Sequence, residues 1–277
     1  MTAPYPIDVP PMVPVAKPIK WVYGVTTVPD RRADLLPRTL VSLDRAGFPS
    51  PRIFVDGCSD AGLYSSHPTT MRPPPAVGIY GNWILSMWEL FLREPNAHRY
   101  AIFQDDLVAY RNLRAYLDRC RYPEHGYWNL LTFPANEMLA QGKIGWFESN
   151  QLGYGAVGLV FSRDALEILL NSHHMVRRVL HPGRGKTHVD GGIVESMSVE
   201  ARQLYGTPWK EYCHYPSLLG HTGIRSTMPG KFSNPRVWGS EGKPVTFRGE
   251  EFDAMELLDA SKEVGKEAAS AISTNAG

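Results

Sequence analysis

Two carboxylates stand side by side, Asp105 and Asp106, at the end of the run Arg99-Tyr-Ala-Ile-Phe-Gln-Asp-Asp. The apolar stretch ahead of them reads as a buried strand. The pair therefore falls at a strand's carboxyl end, where an open α/β sheet keeps its ligand. Two adjacent negative charges repel each other there and are costly without a cation. A divalent ion removes that cost, and hard carboxylate oxygens suit Mg²⁺ or Mn²⁺ bridging phosphate oxygens. The plain alternative is a solvated strand-to-helix turn with an aspartate as the helix N-cap.

Two other stretches have chemistry-bearing spacing. Gly153-Tyr-Gly-Ala-Val-Gly158 matches GxGxxG, but the dinucleotide fingerprint belongs after the first strand and directly before a helix. Here apolar Leu159-Val-Phe161 follows, so the run reads as a glycine-rich loop leading into a strand. Residues 173–188 are strongly basic, with His173, His174, Arg177, Arg178, His181, Arg184, Lys186 and His188. A solvated loop is one reading. A surface for a polyanion, such as a phosphorylated glycan, a lipid phosphate or DNA with hydroxymethylated bases, is the other.

The elements that must position these residues alternate along the chain. Trp21–Thr27 reads as a buried strand stopping at Pro29, and Leu35, Leu36, Leu40, Leu43 and Ala46 follow at helical spacing up to Gly47. Arg52–Val55 is a second strand, closed by Asp56-Gly57. Asn82 is expected just ahead of a helix through Trp83, Met87, Leu90 and Phe91. Strands follow at 99–103 and 127–133, then a helix opened by Ser162 and Asp164, a last helix over 192–205, and a strand-like 212–218. This alternation predicts an α/β fold with a mostly parallel central sheet and helices on both faces.

The order of these elements and motifs resembles that of GT-A glycosyltransferases, over roughly residues 20–228. The resemblance implies a single GT-A, Rossmann-like domain that binds a nucleotide-sugar such as a UDP-sugar together with Mn²⁺ or Mg²⁺. Gln104-Asp105-Asp106 stands where that family has a DxD-like motif, and Pro216-Ser-Leu-Leu-Gly-His221 resembles its C-terminal histidine segment. Asp106 and His221 are thereby implied as metal ligands, with Asp105 on the ribose or on metal-bound water. Thr26, Thr27, Arg31 and Arg32 resemble the first strand's end that cradles base and phosphate, and an arginine can clamp a diphosphate bidentately. Asp56 matches the carboxylate that meets uracil or ribose, though Asp-Gly is also a plain turn signal. Asn82 is implied either on the nucleotide or as a helix cap. Gly155 lies in the glycine-rich loop that the resemblance implies approaches donor sugar and acceptor. The family's catalytic base, which takes the acceptor hydroxyl's proton during inverting transfer, falls on Asp190 or Glu195. Both also suit a helix start, as N-cap and first-turn residue.

Composition narrows the class. The 277 residues carry 43% hydrophobic and 21% charged side chains, ordinary for a folded domain, and a net charge of +1, which removes a whole-molecule electrostatic case for nucleic acid or membrane. Three widely spaced cysteines, without a CxxC pair, argue against zinc or a disulfide framework. No secretory signal or membrane span is legible, so a cytoplasmic enzyme is expected. The expected organisation is a proline-rich arm (1–18), one catalytic domain (19–249) and a C-terminal helix with a fraying tail (250–277). Two competitors remain: a sugar nucleotidyltransferase, disfavoured because Thr26–Arg32 lacks glycine, and a carbohydrate- or nucleotide-binding protein without catalysis.

Overall fold

The computed structural model describes residues 18–180, 189–222 and 244–259. Most of the arm expected at 1–18, the basic stretch 181–188 and the tail 260–277 lie outside the described residues.

Strands β1 (Trp21–Thr27), β2 (Arg52–Asp56), β3 (Thr69–Arg72) and β4 (Arg99–Gln104) pair in parallel in the order β3-β2-β1-β4. Between them run helices α1 (Leu35–Arg45) and α2 (Gly78–Arg93). A short β5 (Leu107–Ala109) and α3 (Leu113–Arg119) follow. Then come β6 (Gly126–Asn129), a single turn α4 (Pro134–Glu137), β7 (Gly145–Glu148) and β8 (Gly158–Ser162). Helices α5 (Arg163–Leu170) and α6 (His173–Leu180) come next. Helix α7 (Val189–Val194) passes through a π turn (Glu195–Glu200) into α8 (Ala201–Tyr205), ahead of β9 (Lys210–Tyr215) and β10 (Leu219–His221).

The main sheet extends β3-β2-β1-β4-β8-β6-β9-β7. Strand β8 is antiparallel to both β4 and β6, and β7 is antiparallel to β9, while every other neighbouring pair is parallel. The architecture is thus the mostly parallel α/β sheet that the alternation and the resemblance imply.

Strand periodicity explains the two-sided core. Successive side chains point to opposite faces, so Ala101 and Phe103 of β4 feed one apolar cluster while Tyr100 and Ile102 feed the other. Ile53 and Val55 against Phe54 do the same on β2. Buried residues of α1 and α3 close the first face, and those of α2, α5 and α7 the second. Residues 244–259 pack on the first face: Phe247 stacks on Tyr110 at 4.8 Å between centroids, and Ala254 and Leu257 are buried. Through Ala254 and Leu257 the segment from 250 to 259 joins this core.

Strand β6 stops at Asn129 where the sequence read a strand to 133, and β9 spans Lys210–Tyr215 where it read 212–218; three further differences lie on the helices. Helix α2 begins at Gly78, placing Asn82 in its second turn, because Asp56 reaches across from β2 and accepts the N–H groups of Val77 and Gly78 at 2.9 and 2.8 Å. A cap supplied from another element lets a helix start where its own sequence offers none. The last helix begins at Val189 instead of Gly192, so Asp190 is a first-turn residue and not the N-cap. His173–Leu180 is helical where a loop was one expectation, with Glu200 accepting the N–H groups of His173 and His174.

Candidate active site

The carboxyl ends of β1, β2 and β4 bring Thr27, Asp56 and the Gln104-Asp105-Asp106 run to one edge of the sheet. Three hydroxyl-bearing side chains and one arginine hold that run. On α1, Thr39 donates to the carbonyls of Asp105 and Leu107, each at 2.9 Å. Thr222 binds the Asp106 carbonyl with both its N–H (2.8 Å) and its hydroxyl (3.0 Å). Thr27 donates its hydroxyl to Asp105 Oδ2. A single guanidinium nitrogen, Arg31 Nη1, bridges Asp105 Oδ1 at 2.6 Å and Asp106 Oδ2 at 2.8 Å.

Two adjacent buried carboxylates need a cation, and Arg31 supplies one. It lies on the one-turn helix Pro29–Arg31, facing the pair, and is buried. The phosphate-clamp role implied for it is thus displaced onto the two aspartates, while the next residue, Arg32, stays exposed. The two acids are driven apart. Burial pushes Asp105 upward; Arg31 pulls it back and the charge of Asp106 adds to the rise. Burial would raise Asp106 as well, but His221 and then Arg31 outweigh it and hold that carboxyl down at about 2.

His221 reaches the site because β10 pairs antiparallel with β5, with His221 opposite Leu107. Its Nε2 lies 3.4 Å from Asp106 Oδ2. Asp106 Oδ1 is buried and takes no hydrogen bond among the described residues. A buried carboxylate oxygen in that condition is an electrostatic deficit, and with the imidazole beside the other oxygen of the same carboxylate the donor set fits a hard or borderline cation. Among the described residues no group of three or more His, Cys, Asp or Glu side chains could hold a metal. Of the described side chains, Asp106 and His221 would hold a cation here, and Mg²⁺ commonly completes so small a protein set with phosphate oxygens and water.

The glycine-rich loop is bound to the same edge. Gln104 donates its side-chain amide to the Ala156 carbonyl at 2.9 Å, and its N–H to the Val157 carbonyl at 2.8 Å. From the helix side, Asp190 Oδ2 accepts the N–H of Gly155 at 2.8 Å and, more weakly, that of Ala156 at 3.4 Å. Gly153 packs so tightly that a Cβ there would lie 2.6 Å from the Asp190 carbonyl oxygen. Gln104, the loop and Asp190 thus form one connected unit. Glu195 is not part of it. Five residues on, it is turned about 140° round a helix of 3.6 residues per turn, and it is exposed in the π turn.

Asp56 and Asn82 serve packing in this structure. Both oxygens of Asp56 cap α2. The Asn82 amide donates to the Phe54 carbonyl at 3.1 Å and accepts from Arg72 Nε at 2.8 Å, stitching α2 to β2 and β3. Thr26 donates to the Phe103 carbonyl at 3.3 Å. Trp146 is buried against Trp128, and Phe147 is buried too, whereas Tyr154 is partly exposed and stacks on Phe133 at 5.0 Å.

Sequence reasoning passed over Thr39, Thr222, Asn129 and Glu211. For Thr39 a signal existed: with Ser42 it is a polar residue on the otherwise apolar stripe Leu35, Leu36, Leu43 of α1, and every one of these five is buried. For the others no local pattern distinguishes them.

No family model and no curated protein matches the chain. Solved structures do. One is a mannosyltransferase, PcManGT from Pyrobaculum calidifontis, in complex with GDP-Man and Mn²⁺, at 13% identity and TM-score 0.41 over 63% of this chain. The chain spans 55% of that protein's length. A second is a Bacillus anthracis protein named for glucose-1-phosphate thymidylyltransferase activity, solved with sucrose, at 11% identity and TM-score 0.42, covering 73% of this chain and 89% of that one. A third is a glycosyltransferase involved in glycosylation of the major capsid of PBCV-1, at 11% identity and TM-score 0.40, covering 76% and 95%. Among the described residues no helix is long and apolar enough to cross a membrane.

Proposed function

We propose that the chain is a metal-dependent glycosyltransferase that moves a sugar from a UDP-sugar to an acceptor hydroxyl with inversion. The observation that carries this reading is the buried, ionised Asp106. Among the described residues one of its oxygens takes no hydrogen bond, His221 lies 3.4 Å from the other, and the loop that Gln104 binds reaches Asp190. Asp106 and His221 would hold Mn²⁺ or Mg²⁺, and the ion supplies Lewis-acid stabilisation of a departing diphosphate when bound. Arg32, exposed just past the one-turn helix Pro29–Arg31, would meet that diphosphate. Asp190 takes the acceptor proton. Its Oδ2 is engaged by the loop N–H groups, which fixes the carboxylate's orientation and leaves Oδ1 to face the hydroxyl. The acceptor is a glycan or another hydroxylated polymer, hydroxymethylated DNA included, with the basic side chains of the sequence stretch 173–188 as its contacts.

The test needs no acceptor. Purified protein is incubated with a panel of nucleotide-sugars and Mn²⁺, with and without EDTA, and free nucleotide is followed. Metal-dependent release of UDP from one donor, lost in Asp106→Ala, supports the reading. Absence of release from every donor, with no thermal stabilisation by UDP plus Mn²⁺, rejects it. One observation favours a second reading. Arg31 already neutralises the aspartate pair, as a nucleotide- or carbohydrate-binding protein without catalysis would need. Tight UDP binding indifferent to EDTA would establish that alternative.

A further inference from the structure

Behind the glycine-rich loop lies a fully buried carboxyl that the proposed chemistry does not use. Glu211, on β9, is 2% exposed. Its Oε1 accepts from the Asn129 amide at 3.0 Å and, at a long 3.4 Å, from the Tyr127 hydroxyl. Its Oε2 is buried and takes no hydrogen bond among the described residues. The same Asn129 amide donates to the Tyr154 carbonyl at 2.8 Å, inside the loop. Gln151, just ahead of the loop, brackets the Glu211 backbone: its carbonyl oxygen accepts the Glu211 N–H at 3.0 Å and its amide donates to the Glu211 carbonyl at 2.9 Å.

The loop is therefore held from two sides by carboxyl groups. Asp190 holds Gly155 and Ala156 from α7, and Glu211 holds Tyr154 through Asn129 from β9. We infer that Glu211 is a positioning residue: through Asn129 it sets the seat of the glycine-rich loop, and with it the orientation of Asp190. This rests on the proposal that Asp190 is the base.

The protonation state of Glu211 matters to that seat. Burial pushes its carboxyl up to about 7, with Ser149 and Asn129 pulling back and the charge of Asp190 adding to the rise. The groups facing it are Tyr127 and Asn129 on β6, Ser149 and Gln151 after β7, Asp190 on α7 and Cys213 on its own strand. None of them is a cation. Neutral Glu211 sits comfortably among them. Ionised, it repels Asp190 and draws harder on the Asn129 amide, pulling at the Tyr154 carbonyl's partner.

The experiment reads the loop directly, without substrate. The Gly155 amide resonance is followed by NMR across neutral pH in the wild-type chain, in Glu211→Gln, which mimics the protonated acid, and in Asp190→Asn. The Gly155 signal is expected to titrate near neutrality in wild type and in Asp190→Asn, and to stay flat in Glu211→Gln at its low-pH position. A flat wild-type signal, or a titration that survives in Glu211→Gln, overturns the inference. In the nucleotide-release assay Glu211→Gln keeps the donor KM and loses the neutral inflection of kcat, while Glu211→Ala lowers kcat by about tenfold at unchanged KM. A pH profile of Glu211→Gln identical to wild type overturns the positioning role. Should Asp190→Asn retain full turnover while Gly155 titrates, the base assignment fails and the coupling of Glu211 to the loop stands.

Discussion

Arg31 decides the electrostatics of the site at the scale of single residues. Its Nη1 bridges two buried carboxylates, and removing one partner of such a group leaves charges without compensation. Arg31→Gln is therefore expected to lower stability by about 3 kcal/mol, within the range found when a buried ion pair is broken. Urea denaturation measures it. Saturating Mn²⁺ should recover more stability in Arg31→Gln than in wild type, because the ion meets the same unpaired charge on Asp106. Equal Mn²⁺ shifts in the two proteins would place the metal elsewhere. The aspartate pair was legible as a site because it ends an apolar run, a purely local pattern. What neutralises it was not, since Arg31 and Asp105 lie 74 residues apart and only the β1–β4 pairing joins them. Glu211 was illegible for the same reason. It falls just ahead of the strand-like stretch read at 212–218, and its burial follows only once β9 is found next to last in the sheet, between β6 and β7.

The decisive contact between elements is that of the glycine-rich loop with α7. Gly153 has φ +66° and a Cβ there would press on the Asp190 backbone at 2.6 Å, which cannot swing aside as a side chain would. Gly206, which ends α8, has φ +77° with nothing within 4 Å. The two positions share backbone strain and differ in the clash, so the pair separates the causes. Gly206→Ala is expected to cost about 1 kcal/mol and leave nucleotide release unchanged. Gly153→Ala should cost about 2–3 kcal/mol and lower kcat by about tenfold or more, because a displacement of about 1 Å at a catalytic group carries such losses. Thermal unfolding and the nucleotide-release assay check both, and equal effects of the two substitutions would remove the loop–helix contact from the mechanism. At this scale the sequence was most informative where periodicity is intrinsic. The strand at 21–27 and the helix closing at Gly47 stand where read. It was least informative at helix starts that another element caps, as with Asp56 on α2, because no residue of the helix itself carries that signal.

Two buried ionisable groups give the whole molecule opposing responses to pH. His214 is fully buried, its Nδ1 against the Pro216 carbonyl at 2.8 Å and its Nε2 against the Tyr116 hydroxyl at 2.6 Å. Burial, only partly offset by the Pro216 carbonyl, lowers it from 6.5 to about 4. The unfolded chain then binds a proton on this group below 6.5 while the folded chain does not until about 4, so stability is lost as pH falls through that window. Glu211 behaves oppositely. Raised from 4.5 to about 7, it keeps its proton in the folded chain where the unfolded chain has lost it, so stability is lost as pH rises through that window. Each window is worth about 3 kcal/mol at 1.36 kcal/mol per pH unit. The two overlap over much of the mildly acidic range, where their slopes have opposite sign and largely cancel. Glu211→Gln removes one of them. Its unfolding free energy should then climb steadily with pH from about 4.5 to 6.5 and level off above, exposing the His214 slope that wild type hides. Urea denaturation at intervals across that range measures the two curves. Parallel curves for wild type and Glu211→Gln would mean that Glu211 titrates as an ordinary carboxyl. Its pull on the loop would then be constant through the neutral range, and any neutral inflection in turnover would have to come from another group.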